Sequence, residues 1–320
     1  MAGFMDANQQ FMIRTNVWSR TIKELLLDEL NAMKFVRIIS DFPDGYIVNI
    51  PSIGEAETAD FTEGQAIRYN SMATGNFQFS FNQYKYSANA ISEKFKRDSY
   101  YSADVIAAFV PRQHRALMES VETNILAQAN SGQIAANTNQ INNADHRWVA
   151  SGTSQAITFQ DFARAHYALQ KANVPLTNLV AVVDPSVAYT LQTQTNLVSL
   201  LSPMPMWESV IKEGAVTGFK FRFNVYGFDI YVSNYLPAIS NETISSISSG
   251  ANGVANYFFS AAPGDTMPFI GGFRQMPTVY SEFNKDLQQE EYLTIAEYGF
   301  KLYRPENMVT IITSTSVVPT

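Results

Sequence analysis

The sequence predicts an α+β fold, and three observations carry that prediction. Strands with alternating aromatics recur, as at Phe77, Phe79 and Phe81 and again at Phe219, Phe221 and Phe223. A long helical run occupies Ser102 to Asn130. Helices and strands follow one another without the regular strand–helix alternation of a parallel α/β sheet. At 320 residues and 46% hydrophobic, the chain can bury a core spread over about two lobes, and it is too apolar to be disordered.

Taken in order, Ser19 to Lys34 places Ile22, Leu25, Leu26, Leu30 and Met33 at helical spacing, with Ser19 as a cap. Asp41-Phe42-Pro43-Asp44-Gly45 signals a turn into the strand Tyr46–Pro51. Gly54 to Gly75 is polar and acidic (Glu55, Glu57, Asp60, Glu63, against Arg68), and the strand around Phe77–Phe81 follows. The aromatic phase then shifts to Tyr84 and Tyr86, as at a β-bulge. Two strands around a long polar excursion describe an extended β-hairpin. An isolated hairpin is marginal in water, so this one needs a neighbour.

In Ser102 to Asn130, Val105, Ile106, Phe109, Leu117, Val121, Ile125 and Leu126 keep the helical period, and Pro111 predicts a kink or a second helix start. Residues 133–157 read as a polar loop or weak hairpin. Thr158 caps a helix over Phe159–Ala172, Val180–Val183 is a short buried strand, and Asp184-Pro185 starts another helix. A hairpin covers 216–234, Ser240–Asn256 reads as a Ser-rich surface loop, and Tyr292–Ile312 reads as strand.

No reaction is specified. His114 and His166 lack the partners a helical metal site would use, and His146, which could in principle serve as a base, lies in an irregular segment that would hold one poorly. There is no Gly-x-Ser-x-Gly elbow, phosphate loop or dinucleotide fingerprint, and Gly271-Gly272 reads as a turn. The hairpin carboxylates lack the ligand spacing of a calcium loop. Gln288-Gln289-Glu290-Glu291 reads as a charged strand end. Neither catalytic residue, cofactor nor metal is expected.

Charged residues are only 16% of the chain while aromatics reach 13%, the composition of a surface largely covered by partners. A net charge of −7 argues against tight nucleic-acid binding and against adhesion to an anionic membrane. With no cysteine, disulfides and thiolate chemistry are excluded. The first ten residues carry no secretion signal, and no apolar run is long enough to span a bilayer, so a soluble chain is expected.

The ordered set of segments resembles the major capsid proteins of tailed bacteriophages, which share the Hong Kong 97 fold. Gly45–Pro51 followed by Ala59–Gly64 looks like the family's strand into its extended loop, and Asn82–Ile91 like the returning strand. Ala103–Asn130 resembles the spine helix. Ala172-Asn173-Val174-Pro175 with Val180–Pro185, Gly227–Pro237, and Tyr298–Glu306 resemble later segments.

The resemblance implies an N-terminal arm (1–43), an extended loop (44–91), a peripheral domain with the spine helix (92–175), an axial domain (176–265) and peripheral return strands (266–320). It implies a shell subunit forming hexamers and pentamers around double-stranded DNA that it contacts weakly. Loop residues Glu55, Glu57, Asp60, Phe61, Glu63 and Arg68, and spine residues Arg112, Arg115, Glu119 and Glu122, are the candidate contact set. A separate scaffolding protein, a portal and a cement protein are the implied partners, with assembly in the host cytoplasm and residence in the virion. Gly54 to Gly75 contains no lysine, so the isopeptide cross-link of some relatives is not expected and cohesion is non-covalent. Two other readings stand beside this one: the shell of a bacterial cargo nanocompartment, and a hydrolase using Asp60 and Glu63.

Overall fold

The structure is a computed structural model that describes residues 30–40, 47–54, 58, 60–61, 63–66, 72, 74–98, 102–193 and 224–315. Most of the expected first helix lies outside them. Where they begin, Ala32–Phe35 form a single 3-10 turn that leads directly into a strand.

Two sheets share one helix. The first sheet joins β1 (Val36–Ile38), β4 (Gln83–Ser92), β13 (Phe269–Asn284) and β14 (Gln289–Leu302) in the order β1-β13-β14-β4, with β1 parallel and the rest antiparallel. Beside it, β2 (Ile47–Ile53) and β3 (Thr74–Ser80) pair as the expected hairpin. Between β4 and the spine lies the short α1 (Glu93–Asp98).

The spine is α2, Ser102–Ser131, and it is continuous through Pro111, so no second helix starts there. Its second half buries Leu117, Val121, Ile125, Leu126 and Ala129.

The second sheet has seven strands: β5 (Arg147–Val149), β6 (Leu179–Val183), β7 (Asn224–Val225), β8 (Phe228–Val232), β9 (Ala238–Ile239), β12 (Gly253–Ser260) and β15 (Val309–Ser314). Its order is β5-β15-β12-β6-β8-β7, with β9 also on β12. Val180, Val182, Tyr257 and Phe259 face the core shared with the spine and the first sheet. Leu179, Ala181, Val183 and Phe258 face a second core, completed by Phe162 of α3 (Phe159–Lys171) and Val187 of α4 (Pro185–Thr193). Burial on both faces explains why β6 is an unbroken apolar run.

Local chemistry places the helices. Thr158 accepts from the Asp161 N–H, and the Asp161 carboxylate accepts from the Thr158 N–H at 2.9 Å, a reciprocal cap on α3. The same buried carboxylate accepts from Trp148 Nε1 and the Ser151 N–H, fixing the preceding loop. Asp184 accepts from the Ser186 N–H at 2.9 Å and caps α4, with Pro185 in its first turn.

Several sequence expectations are corrected. Ser240–Asn256 is not a surface loop throughout: it contains a small hairpin, β10 (Thr243–Ile244) with β11 (Ile247–Ser248), and the start of the fully buried β12. Asn256 looked like loop chemistry but is a buried bridge, donating to Thr313 Oγ1 at 2.8 Å and accepting from the Asp184 N–H. Tyr292–Ile312 is two strands in different sheets, split by a 3-10 turn at Pro305–Asn307. The hairpin at 216–234 is described over Asn224–Val232. β5 and β15, from residues 147–149 and 309–314, join the strands between 179 and 260 in one sheet.

His146 is fully buried rather than loosely held. Its Nδ1 lies 3.1 Å from the Ala144 carbonyl, and among the described residues its Nε2 has no hydrogen-bond partner. Burial lowers its pKa, against the opposing pull of the Ala144 and Glu306 carbonyls and of Asp145 and Glu306. The unfolded chain therefore takes up this proton more readily, so the stability His146 contributes is present above about pH 6.5 and is lost as pH falls through the depressed folded value. Denaturant midpoints measured from pH 7.5 to 5 should fall more steeply for the parent than for His146→Gln.

Beside it Arg147, 1% exposed, donates from Nε and Nη2 to the Glu242 carboxylate, each at 2.8 Å. Glu242 also accepts the Ala136 N–H, so one carboxylate ties two loops to β5. Removing it strands a buried guanidinium. Glu242→Ala should cost about 3–5 kcal/mol in equilibrium urea unfolding.

Candidate assembly surfaces

The hairpin is held at its base by its own chain. Register runs from Ile47↔Ser80 to Ile53↔Thr74. That alternation turns Val48, Ile50, Phe77 and Phe79 toward the body, where they join Phe81, Ile270 and Tyr303 in a small buried cluster. Lys301 Nζ donates to the Gln78 carbonyl at 2.9 Å. The opposite face presents Ile47 and Ile53 to solvent, and Phe61 near the tip is 76% exposed. A hairpin without support from its own chain was expected; the base has that support, while the described residues Ile53, Asp60, Phe61 and Glu63 farther out are exposed.

Two glycines set how closely the base approaches. A Cβ on Gly299 of β14 would lie 2.3 Å from the Ser80 carbonyl oxygen, and one on Gly271 of β13 would lie 2.3 Å from the Gly299 carbonyl oxygen. Gly271-Gly272 is thus strand interior and not a turn. The aromatic phase shift after Phe81 is not a bulge either. At Phe81-Asn82 the chain leaves the hairpin and enters a different sheet, where Gln83 pairs with Tyr298.

Between hairpin and body lies a groove of about 560 Å³, lined by Ile53, Asn76, Phe77, Asp265, Tyr303 and Arg304. Asp265 pairs with both Arg37 and Arg304. Burial pushes the Asp265 carboxyl up, but the two guanidiniums outweigh it and hold the group below the usual carboxylate range.

The sequence-predicted contact residues separate into different environments. Asp60, Phe61 and Glu63 are exposed at the tip, while Glu55, Glu57 and Arg68 lie outside the described residues. On the spine Arg112 is exposed, and Arg115 donates to Glu119 one turn on at 2.8 Å. Glu122 is different. It is 1% exposed, and its carboxylate accepts the N–H groups of Asn31 (3.1 Å) and Ala32 (2.8 Å). Burial raises its pKa against the effect of those bonds and of Lys34 and Arg115. Glu122 thus anchors its own N-terminal segment and is closed to a neighbour.

Sequence reasoning missed another surface. The register of β13, β14 and β4 stacks Thr278, Ile295 and Tyr86 in one row and Tyr280, Leu293 and Ala88 in the next. These lie on the face away from α2, and Tyr86 is 69% exposed, with Tyr84 and Tyr280 also more than half exposed. The alternation of Tyr84 and Tyr86 was the signal; which side the spine would cover was not visible in it. Among the described residues no group of three or more His, Asp or Glu is placed to hold a metal ion, and no helix is long and apolar enough to cross a membrane.

The family model described as phage capsid protein matches residues 83–311, most of the chain. Several solved structures share its fold. That of Mycobacterium phage Che8 has a TM-score of 0.68 at 15% identity, covering 94% of this chain and 97% of its own. The capsid of cyanophage P-SCSP1u gives 0.67 at 16% identity, with 95% and 93% covered. The capsid of the native GTA particle gives 0.62 at 10% identity, with 97% and 98% covered. No curated protein sequence matches the chain.

A shell-forming subunit of the Hong Kong 97 type is what this fold and these surfaces define. The chain belongs to the phage capsid protein family; it is a major capsid protein, a structural component of the virion.

The glycine contact gives a direct test. Gly299→Ala should displace the hairpin base and destabilise the fold by about 1–3 kcal/mol. Thermal unfolding, with limited proteolysis between residues 53 and 74, would register both effects.

Proposed function

We propose that this subunit assembles as hexamers and pentamers into an icosahedral head that closes around double-stranded DNA, with each hairpin lying across the adjacent subunit. The observation that carries this reading is the half-supported hairpin: its base is buried on its own body while Ile47, Ile53 and Phe61 stand in water. Apolar surface of that kind is stabilised by a partner. The exposed tyrosine row on the four-stranded sheet supplies aromatic surface of the type enriched in interfaces.

The chain contributes no chemistry in this reading. Asp60 and Glu63, the pair a hydrolase would need, sit exposed at the tip. With no lysine in Gly54–Gly75, cohesion is non-covalent. Net acidity keeps contact with the packed DNA weak and non-specific. The partners are a separate scaffolding protein, a portal and a cement protein, and assembly takes place in the host cytoplasm.

Electron microscopy of purified protein should show closed shells; a dispersed monomer at high concentration would refute the reading. Tyr86→Ser with Tyr280→Ser should lower shell yield while leaving the unfolding midpoint of the isolated subunit almost unchanged.

A further inference from the structure

The four-stranded sheet ends on one side in an open strand. β4 is its last member, and among the described residues no strand pairs with its far side. One bond fixes which groups are left over: the Glu93 N–H donates to the Gln288 carbonyl at 2.9 Å. In an antiparallel ladder alternate residues bond the same neighbour, so the odd-numbered residues of β4 bond β14. Tyr84, Tyr86, Ala88 and Ala90 therefore turn their N–H and C=O groups outward. At the opposite margin of the sheet, β1 offers only three residues.

Open edges are ordinarily blunted by proline, a bulge, charge or shortness. β4 carries one lysine, Lys85, and none of the other devices. It runs for ten residues without proline, and its pairing with β14 is unbroken from Gln83 to Ser92. Its sequence also fits its own reverse. Set antiparallel to a second β4 about Ser87, it brings outward-facing residues opposite outward-facing ones, as the hydrogen bonds require. Tyr86 then lies opposite Ala88 and Tyr84 opposite Ala90, each large ring beside a methyl group. Lys85 falls opposite Asn89 and away from its own copy, so no like charges meet. Tyr84 and Tyr86 are both more than half exposed, which makes the edge continuous with the aromatic face of the sheet.

We propose that β4 pairs edge to edge with β4 of a second copy across a two-fold axis through Ser87, merging the two four-stranded sheets into one. The inference rests on the shell reading and adds a contact of different symmetry. Contacts around a hexamer or pentamer run head to tail, whereas this one is isologous and joins subunits of two separate rings. Symmetry makes every bond occur twice: the Ala88 N–H of each copy donates to the Tyr86 carbonyl of the other. The backbone supplies the attraction, and the alternation of tyrosine with alanine sets the register.

The chain has no cysteine, so a single introduced one reports the axis directly. Position 87 lies opposite itself, with Cβ atoms about 4.5–5.5 Å apart, whereas position 89 lies about 13 Å from its own copy. Under mild copper–phenanthroline oxidation, assembled Ser87→Cys should run as a covalent dimer on a non-reducing gel and Asn89→Cys as a monomer. Ala88→Pro removes an outward N–H and leaves the ladder to β14 whole, so circular dichroism and the unfolding midpoint of the subunit should stay near parent values. Shell yield by sedimentation should nevertheless fall about tenfold or more, since each contact loses two hydrogen bonds. Ala88→Ser keeps the N–H and should assemble as the parent does. If the parent forms shells and Ser87→Cys does not cross-link in them, or Asn89→Cys cross-links equally well, or Ala88→Pro assembles at parent yield, the edge pairing is refuted while the shell reading stands. If the parent forms no shells at all, the shell reading itself fails.

Discussion

The structure depends on one helix being packed from two directions. Along its second half, α2 meets β14 of the four-stranded sheet and β6 and β12 of the seven-stranded sheet in a single core. Val121 and Ile125 are completely buried there, each contributing about 1.5–3 kcal/mol by leaving water. The fully buried Tyr257 donates its hydroxyl to the Leu126 carbonyl at 3.0 Å, so the helix is joined to β12 by a polar bond as well as by packing. A phenol so placed keeps its proton, since burial pushes its pKa far up. Without the helix neither sheet would have its inner face covered.

Around that shared wall, polar groups set position. Glu122 reaches from the helix to the backbone of the N-terminal segment, and Phe35 of that segment packs edge-on against Tyr231 and Phe259. Arg147 and Glu242 fasten the loops at the other end. Asn307 accepts from the Ser260 N–H and donates to the Ser260 carbonyl, locking the crossing between β12 and β15. These are buried, satisfied groups whose loss leaves an unpaired partner, so they specify one arrangement more than they add net stability.

Much of the fold was legible because it rests on local rules. The spine has a sustained helical period, α3 has its Thr158–Asp161 cap, and β2–β3 has alternation on both sides of a polar stretch. What was not legible depends on distant chain. Ser240–Asn256 has the composition of a loop, and only pairing with β15 and β6 makes its end a core strand. Gly271 and Gly299 look like turn residues until the backbone of Ser80 is seen against them. Of the candidate contacts, the exposed tip residues could be anticipated from charge. Glu122 could not be separated from Arg112 by spacing alone, because its partners lie ninety residues upstream. The exposed tyrosine face needed the register of three strands.

The seven-stranded sheet is knitted from both halves of the chain: β5, at Arg147–Val149, lies parallel to β15, the final described strand. Folding must therefore wait on translation. Until the ribosome has released the segment around Val309–Ser314, β5 and β12 lack the strand that lies between them, and the spine lacks part of its wall. A nascent subunit thus has an incomplete second sheet until that segment emerges. Closure through such sequence-distant pairing is also slow compared with helix formation.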